Sequence, residues 1–477
     1  MKKFIKIMAF ALVLVMLMLP LLSCKKKGGT DSDTTKDGGA TTAEDDGLPD
    51  VTYDNYKFRV LVRKNAVHQA DFKVNSNSEN LVDQAVYTRN RNVEERFKVE
   101  IEPIESSDAN SLAEVSIVQA GEDAYDLICV FGRNFSSYSQ QGLCVNWYDL
   151  PYVNMEADWW HQDIRETFTF ANKVFAMTGD ISYMSTASAY AVLFNKDIFD
   201  ENNIAYPYDD VRNGTWTFEK FTQIARTCAE DLTGEGNIEL SGDRMGYATL
   251  GWGGPYDAFF ATGSRMISTS AVGDPIITYA NEKAYDGLTR FFNFGKESGQ
   301  WIDPSDSNTE LEAAVMAGRV AMMDRPLQKI AQCRSVTWNY GIVPFPKMND
   351  SVESYTANTA GSNNLLLVPI TSKDLERSSV IIEALCQESS KVVIPVYYDN
   401  IISLRTANSA ADLEMLGIIS QARVYDYGYY DNKLAIGGLL YKLAQAGSTA
   451  TFYSDYSNVQ SATEKALKEM MAVHTAS

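Results

Sequence analysis

Tyr56-Lys57-Phe58-Arg59-Val60-Leu61-Val62 alternates in the manner of a half-buried β-strand. Leu81 to Phe97 then places its apolar residues on one helical face, and Val99 to Ile104 is predicted as a second strand. A helix at Ser111 to Ala120 and a strand at Tyr125 to Phe131 complete the series. Strands and helices in alternation predict an α/β fold in which helices cover a parallel sheet.

The residues after the third strand are the first candidates for a binding site. Ligands of parallel α/β sheets lie beyond the carboxyl ends of the strands. Gly132, Arg133 and Asn134 follow Phe131 directly. We therefore expect Arg133 and Asn134 to face a solute.

Shorter elements are predicted along the rest of the chain. Strands are expected at Ala191 to Phe194, Met245 to Leu250, Val320 to Met323, Tyr340 to Val343 and Asn364 to Val368. Helices are expected from Phe218 to Cys228 with Thr217 as N-cap, from Asn281 to Phe294, from Leu375 to Glu388, around Leu413 to Ala422, and from Tyr456 to Met471.

The amino-terminal residues have the layout of an export signal. Three lysines within the first six residues precede an uncharged run, Ile7 to Ser23, which is short for a hydrocarbon core of ~30 Å. Leu21-Leu22-Ser23-Cys24 resembles the bacterial lipobox, which implies that residues 1–23 are removed and that Cys24 carries diacylglycerol. A plain secreted protein and a single anchor helix are the alternatives.

Residues 25–50 are predicted to be a disordered tether behind Cys24. They hold no aromatic and no β-branched aliphatic residue, so they cannot bury enough apolar surface to offset the entropy of ordering. The remaining 427 residues exceed one ordinary domain of roughly 100–200 residues, which favours two lobes.

Charge and composition exclude several classes of partner. The net charge of -20, from 42 Lys and Arg against 62 Asp and Glu, opposes binding to nucleic acid or anionic lipid. Three histidines are too few for a multi-histidine metal site, and His474 is expected in a frayed carboxyl terminus.

Five cysteines besides Cys24 lack any CxxC spacing, so no metal knuckle or redox motif is predicted. They are Cys129, Cys144, Cys228, Cys333 and Cys386. We interpret them as buried thiols, and a Cys129–Cys144 disulfide is an open alternative.

Seven separated segments share their order and spacing with a known family. They are Asn80 to Asn90, Tyr125 to Ile128, Gly142-Leu143 with Asp149 to Pro151, Phe194 to Phe199, Gly214 to Phe218, Met316 to Met322, and Tyr340 to Lys347. Together they resemble the family 1 type of extracellular solute-binding proteins, the sugar-binding receptors of bacterial ABC importers. The resemblance covers nearly the whole mature chain.

The resemblance implies a two-lobed periplasmic-binding-protein-like fold of type II, with strands that cross between the lobes. Crossings are expected near Ala189 to Phe194, near Thr359 to Asn363 and near Asn400. The expected lobes comprise residues 51–190 plus 359–400, and 191–358 plus 401–477. The solute, most simply a saccharide, is trapped when the lobes close, and the closed monomer then docks on membrane permease subunits.

Polar and aromatic residues that follow a strand or a crossing are the candidate solute ligands. Sugars are held by aromatic faces and by planar polar side chains that pair two hydroxyls at once. The candidates are Trp252, Asp180, Tyr183, Arg133, Asn134, Asp324, Arg325 and Asn363. The chain has seven Trp and 26 Tyr, which supports a carbohydrate cleft only weakly.

Each leading candidate also has a purely structural alternative. Trp252 lies in a glycine-rich loop that leaves its ring open to a ligand, or it closes the core under that loop. Asp180 approaches the cleft, or it caps backbone N–H groups in a turn. Asp324 and Arg325 can also pair with each other, and Asn363 is also an ordinary turn residue.

Asp231 to Ile238 has part of the spacing of a calcium loop. Asp231, Thr233 and Glu235 provide oxygen at the first, third and fifth places, but Gly242 stands where the bidentate Glu belongs. Asp243 is the residue that could substitute. A polar loop without metal is the alternative, and no other cofactor is expected.

Among the functions considered, a solute-binding receptor is favoured over an enzyme. No GxSxG, HExxH, GxxxxGK[ST] or Rossmann glycine motif occurs, although a polysaccharide-acting enzyme with two carboxylates remains an alternative. Importers for oligopeptides, phosphate esters or other polar solutes are a further alternative. The chain is expected to be anchored by lipid to the outer face of the cell membrane.

Overall fold

Two mixed β-sheets and the helices around them form the fold of the computed structural model, which describes residues 46–401 and 409–476. The strands are β1 Tyr56–Val62, β2 Val99–Glu105, β3 Leu127–Phe131, β4 Tyr190–Asn195, β5 Met245–Leu250, β6 Ile267–Thr269, β7 Pro275–Ile277, β8 Gln300–Asp303, β9 Val320–Pro326, β10 Tyr340–Val343, β11 Ala357–Asn358, β12 Asn364–Leu367 and β13 Arg423–Val424. The predicted leader, Cys24 and residues 25–45 of the tether lie outside the described residues.

Helices connect and cover these strands. The α-helices are Leu81–Phe97, Val115–Gln119, Ser136–Ser139, Gln162–Phe168, Tyr183–Ala187, Lys196–Glu201, Tyr208–Arg212, Phe218–Cys228, Gly254–Phe260, Glu282–Phe294, Thr309–Met316, Leu327–Gln332, Leu375–Val392, Ile394–Ile401, Ser409–Gln421, Tyr427–Tyr430, Leu439–Ala446 and Phe452–Thr475. The short 3-10 helices are His68–Asp71, Gly132–Asn134, Trp147–Asp149, Cys333–Ser335 and Ala435–Gly438.

The first sheet has the strand order β12-β3-β1-β2. Strand β1 runs parallel to both β2 and β3, as the alternation of strands and helices predicts, and β12 adds an antiparallel edge. Phe58, Val60 and Leu61 of β1 are fully buried. Their burial reflects a central parallel strand that is covered on both faces.

The second sheet has the strand order β10-β4-β9-β5-β8. Strand β5 is parallel to β8 and β9, whereas β4 is antiparallel to β9 and β10. The carboxyl end of β5 therefore opens into the loop that begins at Gly251. The helix Phe218–Cys228 packs its apolar face, including Phe221, on this sheet.

Two local predictions are wrong. The helix predicted at Ser111 to Ala120 is limited to Val115–Gln119, because the Asp108 carboxylate accepts from Ala113 N at 2.8 Å and holds a turn there. Thr217 precedes its helix, but its side chain makes no capping hydrogen bond.

The described cysteines are free and buried, which contradicts the disulfide alternative for Cys129 and Cys144. Burial raises the pKa of the Cys129 thiol well above its ordinary value. His474 is also buried, with its ring 4.7 Å from that of Phe175. The prediction of a frayed carboxyl terminus at His474 is therefore wrong.

Three segments lie side by side next to the two sheets, and we call them the crossing segments: Ser188-Ala189, Ala357 to Gly361, and Ala422 to Val424. Ala189 bridges Thr359 antiparallel, and Ala357-Asn358 pairs in parallel with Arg423-Val424. The residues around Asn400, expected as the last crossing, lie instead in the helix Ile394–Ile401. The lobe boundaries stay a prediction. Residues 402–408, which belong to the second expected lobe, lie outside the described residues.

A buried ion pair attaches the helix Ser409–Gln421 to the second sheet. Asp412 accepts from Lys196 Nζ at 3.1 Å, from the Tyr208 hydroxyl at 2.7 Å and from Ile342 N at 3.1 Å. The side chains of Lys196 and Asp412 are each only 3% exposed. Removal of one member would leave the other charge buried without its partner.

We expect Asp412→Asn to lower the free energy of unfolding by about 3–5 kcal/mol, the usual effect of breaking a buried pair. Denaturant unfolding followed by circular dichroism measures this change. Glu102→Gln is the control, because Glu102 pairs with Lys57 at 3.0 Å on the exposed surface, where a pair contributes about 1 kcal/mol or less. Equal effects of the two substitutions would contradict this role for Asp412.

Candidate functional site

An arginine lies against two aromatic rings where the ends of the two sheets approach each other. Arg133 is in the turn Gly132–Asn134 after β3, Trp252 is in the loop after β5, and Tyr429 is in the helix Tyr427–Tyr430. The Arg133 guanidinium carbon is 4.9 Å from the Trp252 ring centroid and 5.3 Å from that of Tyr429. Its Nε donates to the Tyr429 carbonyl at 3.1 Å.

Further aromatic rings extend this group, which we call the aromatic–arginine cluster: Arg133, Trp252, Tyr256, Tyr429 and Tyr441. Trp252 stacks on Tyr441 at 4.5 Å with 14° between the rings, and on Tyr256 at 5.3 Å and 19°. Trp252 and Tyr441 are half-buried, whereas Tyr256 and Tyr429 are fully enclosed. Trp252 thus packs on the core and still presents part of its ring.

The glycines beside Trp252 allow its loop to lie directly on neighbouring groups. A Cβ on Gly253 would approach an Asp324 carboxylate oxygen to 2.5 Å, and one on Gly251 would lie 2.9 Å from the Tyr441 ring. Only glycine fits at such distances without displacing its neighbours. The Trp252 ring is therefore positioned by the close approach of its own backbone to the sheet.

The middle crossing segment contacts the cluster directly. Arg133 N donates to the Gly361 carbonyl at 3.1 Å, and Gly361 N donates to the Tyr429 hydroxyl at 3.0 Å. Asn134 accepts a hydrogen bond from the Asn432 amide. The predicted pair Arg133 and Asn134 is thus connected to a crossing segment and to residues near the carboxyl end of the chain.

Asn363 follows that segment and is fully buried. It lies beside Tyr425 and Tyr430. Burial raises the pKa of both tyrosine hydroxyls, and hydrogen bonding to the Asn363 side chain offsets part of that rise. Its interpretation as a solute ligand stays a prediction.

Asp324 belongs to a buried carboxyl pair under the Trp252 loop. It accepts from Thr249 Oγ at 2.9 Å and from the Tyr247 hydroxyl, and Gly253 lies against it. Burial raises its pKa and, more strongly, that of Asp257, and the charge of Asp324 raises the pKa of Asp257 further. A shared proton is the arrangement that such a buried pair favours at moderate pH.

Asp257 also connects this pair to a crossing segment. Its Oδ1 accepts from Asn358 N at 3.1 Å, and the Asn358 amide donates to the Trp252 carbonyl at 3.4 Å. The pair therefore lies between the Trp252 loop and the segment on which the sheets meet.

Arg325 does not pair with Asp324, which contradicts that alternative. Neighbouring residues on β9 point to opposite faces, and one terminal nitrogen of Arg325 instead donates to both carboxylate oxygens of Glu312, at 2.8 and 2.9 Å. Its side chain is 3% exposed. In the described residues no contact joins Arg325 to the aromatic–arginine cluster.

Asp180 and Tyr183 lie apart from that cluster. Burial raises the pKa of Asp180 to about 6. The charge of Arg423 and a hydrogen bond from Ser390 lower this pKa, but the effect of burial is larger. Arg423 lines a cavity of about 470 Å³ with His161 and Tyr425. Tyr183 is buried against Tyr397, with ring centroids 5.4 Å apart. Their roles as solute ligands stay predictions.

Tyr429, Tyr441 and Asp257 are residues of the site that sequence reasoning did not single out, whereas Tyr256 ends the loop stretch Gly251 to Tyr256 that it did. Tyr256 and Asp257 directly follow Gly254-Pro255 and share the loop signal that identified Trp252. Tyr429 belongs to the tyrosine-rich stretch Tyr425 to Tyr430, which could have been noted as a candidate aromatic wall.

The predicted calcium loop has its carboxylates engaged by the backbone. Asp231 accepts from Gly234 N at 2.6 Å and Gly236 N at 2.7 Å, and Asp243 accepts from Thr233 N at 3.0 Å and Glu239 N at 2.8 Å. Glu235 is exposed. In residues 46–401 and 409–476 no three acidic, histidine or cysteine side chains are grouped to hold a metal ion. Calcium binding there stays a prediction.

The structure has two helix-covered β-sheets that are joined by crossing segments. Polar and aromatic side chains suited to binding a ligand lie where the ends of the sheets approach each other. This arrangement is that of a two-lobed binding protein. The chain belongs to the family of bacterial extracellular solute-binding proteins, whose family model matches residues 80–374, more than half of the chain. This confirms the family that the seven sequence segments indicate. The family is extracellular, so the protein is an exported one.

Solved structures of low sequence identity confirm the fold. The chain is similar to the GacH receptor of Streptomyces glaucescens, with a TM-score of 0.52 and 15% identity over 88% of this chain and 97% of that one. It is also similar to the ABC substrate-binding protein Lmo0181 from Listeria monocytogenes, with a TM-score of 0.50 and 14% identity over 88% and 98%. The fold is thus two-lobed, periplasmic-binding-protein-like and of type II.

No curated protein sequence matches the chain. Among the helices that the structure describes, none has the length and apolar character to cross a membrane.

The buried carboxyl pair predicts that stability falls as the pH rises. The pKa values of both carboxyl groups are raised in the folded state, so the folded protein binds protons more tightly than the unfolded chain does. This contribution to stability is lost as the pH rises above about 4. For each proton, the free energy of unfolding falls by at most roughly 1.4 kcal/mol per pH unit. We expect Asp257→Asn to weaken this loss and to be more stable than wild type at pH 8.

Urea unfolding from pH 4.5 to pH 8 measures that slope. Asp209→Asn is the control, because the Asp209 side chain is 85% exposed. A slope for Asp257→Asn equal to the wild-type slope would show that the pair does not share a proton.

Proposed function

We propose that the protein is the solute-binding receptor of an ABC importer and that its solute is an oligosaccharide held at the aromatic–arginine cluster. The stacked, half-buried rings of Trp252 and Tyr441 carry this proposal. Flat aromatic faces complement the C–H faces of sugar rings, while a neighbouring planar polar group can pair hydroxyls. Arg133 is such a group, 4.9 Å from the Trp252 ring centroid.

The described ligands of the structural neighbours agree with a saccharide. The GacH receptor is described in complex with acarbose and an acarbose homolog, and the Listeria protein in complex with cycloalternan. These are properties of those proteins, which share the fold with this chain. They support the saccharide class without identifying the sugar.

Hinge closure is the mechanism that we propose for this site. Arg133 follows a strand of the first sheet and Trp252 follows a strand of the second, so a solute between them contacts elements of both sheets. The crossing segments are short, with two residues paired between β11 and β13. A solute that contacts both sides favours the closed state by its differential affinity, and no covalent chemistry is required.

The importer and the membrane anchor complete the proposal. Membrane permease subunits would receive the closed receptor, and the lipid on Cys24 would hold the receptor at the outer face of the cell membrane. The lipobox-like Leu21 to Cys24 supports this anchor. A single acyl chain binds membranes only marginally, so a diacylglycerol group suits a stable anchor.

A saccharide panel tests the receptor and its site together. A solute at about one hundred times its Kd stabilises the folded state by roughly 2.7 kcal/mol, so it raises the melting temperature. We expect one saccharide series to raise the melting temperature of the detergent-solubilised protein, measured by intrinsic fluorescence. Trp252→Ala should abolish that shift.

Tyr87→Ala is the matched aromatic control, because Tyr87 is 40% exposed on the helix Leu81–Phe97, and it should keep the shift. A response to peptides or phosphate esters and to no saccharide would refute the saccharide. Turnover of any saccharide would refute the receptor.

Replacement of the proposed lipidated residue tests the anchor. We expect Cys24→Ala to abolish incorporation of labelled palmitate and to move the protein from the membrane to the soluble fraction of the expressing bacteria. Cys228→Ala, in a buried helix, should leave both unchanged. Labelling that persists in Cys24→Ala would contradict lipidation at this position.

A further inference from the structure

Arg133 has most of its hydrogen-bonding capacity unused. Its Nε donates to the Tyr429 carbonyl, while its two terminal nitrogens make no hydrogen bond within the described residues. In residues 46–401 and 409–476, no carboxylate forms an ion pair with it. Arg133 thus presents a planar cation with its terminal donors open, against the rings of Trp252 and Tyr429.

Other arginines of this acidic chain have their terminal nitrogens engaged. Arg89 is buried and donates to the carbonyls of Ile181 and Asp71, and Arg63 donates to the Ser362 carbonyl. Arg325 and Arg226 make ion pairs with Glu312 and Glu297. With 62 acidic residues in the chain, an unpaired guanidinium beside the proposed sugar-binding rings needs a physical explanation.

We propose that Arg133 is a specificity-determining residue that binds a carboxylate of the solute, so that the solute is an acidic saccharide containing a uronic acid. This inference rests on the proposed function and specifies its substrate class. A guanidinium forms two parallel, charge-assisted hydrogen bonds with a carboxylate, which are roughly twice as strong as those to neutral groups. The adjacent rings would stack on the sugar that carries the carboxylate.

The two carboxyl groups under the Trp252 loop do not neutralise Arg133. Asp257 and Asp324 are buried there, and burial raises the pKa of both. Asp324 is already engaged by Thr249 and Tyr247, and Asp257 by Asn358. Neither of them pairs with Arg133, so the cation is not neutralised from within the site.

Paired trisaccharides test this inference most directly. The probes are uronate trisaccharides of several linkages, each compared with the neutral trisaccharide obtained by reducing its carboxyl groups to alcohols. Titration calorimetry of the detergent-solubilised full-length protein measures both affinities. We expect at least one uronate to bind about tenfold or more tightly than its reduced partner, and added salt to weaken that preference.

Variants at Arg133 assign the preference to this side chain. Arg133→Gln keeps a planar amide but removes the charge, so it should bind the two members of a pair with similar affinity. Arg133→Lys keeps the charge and loses the two-pronged geometry, so it should retain part of the preference. Arg226→Gln is the control, because Arg226 pairs with Glu297 on the surface, and it should behave as wild type.

The outcomes separate this inference from the proposed function. Neutral trisaccharides that bind as tightly as uronates would overturn the acidic saccharide and keep the receptor. A uronate preference that persists in Arg133→Gln would overturn the role of Arg133. Binding of no saccharide at all would overturn both proposals.

Discussion

Backbone pairing among the three crossing segments is the constraint on which the rest of the structure depends. Ala360 N donates to the Ser188 carbonyl at 2.9 Å, and Ala357 N donates to the Ala422 carbonyl at 2.8 Å. The first sheet is complete only when β12, which follows the middle crossing segment, pairs with β3. The groups of the site are attached to these same segments, since Gly361 contacts Arg133 and Asn358 contacts both Asp257 and Trp252.

Local periodicity accounts for the parts of the fold that could be predicted from the sequence. The strand Tyr56–Val62 and the helix Leu81–Phe97 have the predicted bounds. The alternation predicted a half-buried strand, but Val60, Leu61 and Val62 are all buried because helices cover both faces of the sheet. Arg133 was predicted as a site residue because an apolar run shows where a strand ends, and ligands lie beyond the carboxyl ends of parallel strands. The truncated helix at Val115–Gln119 was not predicted, because the Asp108 carboxylate competes with the helix for backbone N–H groups.

Residues of the site that come from distant segments could not be predicted in the same way. Tyr429 and Tyr441 reach Trp252 from nearly two hundred positions along the chain, and no local pattern specifies that contact. Asp257 is one turn into a short helix, and its pairing with Asp324 depends on how that helix lies on β9. Asp180 and Trp252 looked equivalent as residues after a strand or crossing, yet the structure separates them.

The glycines around Trp252 also bear on how the specificity of this protein can evolve. Gly251 and Gly253 have no room for a side chain, so the backbone of this loop tolerates almost no variation. Tyr441 is different, because it is half-buried on the surface helix Leu439–Ala446 and other side chains would fit there. Descendants of this protein are thus expected to change their solute specificity by substitutions at half-buried positions such as Tyr441, while the loop that contains Trp252 changes little.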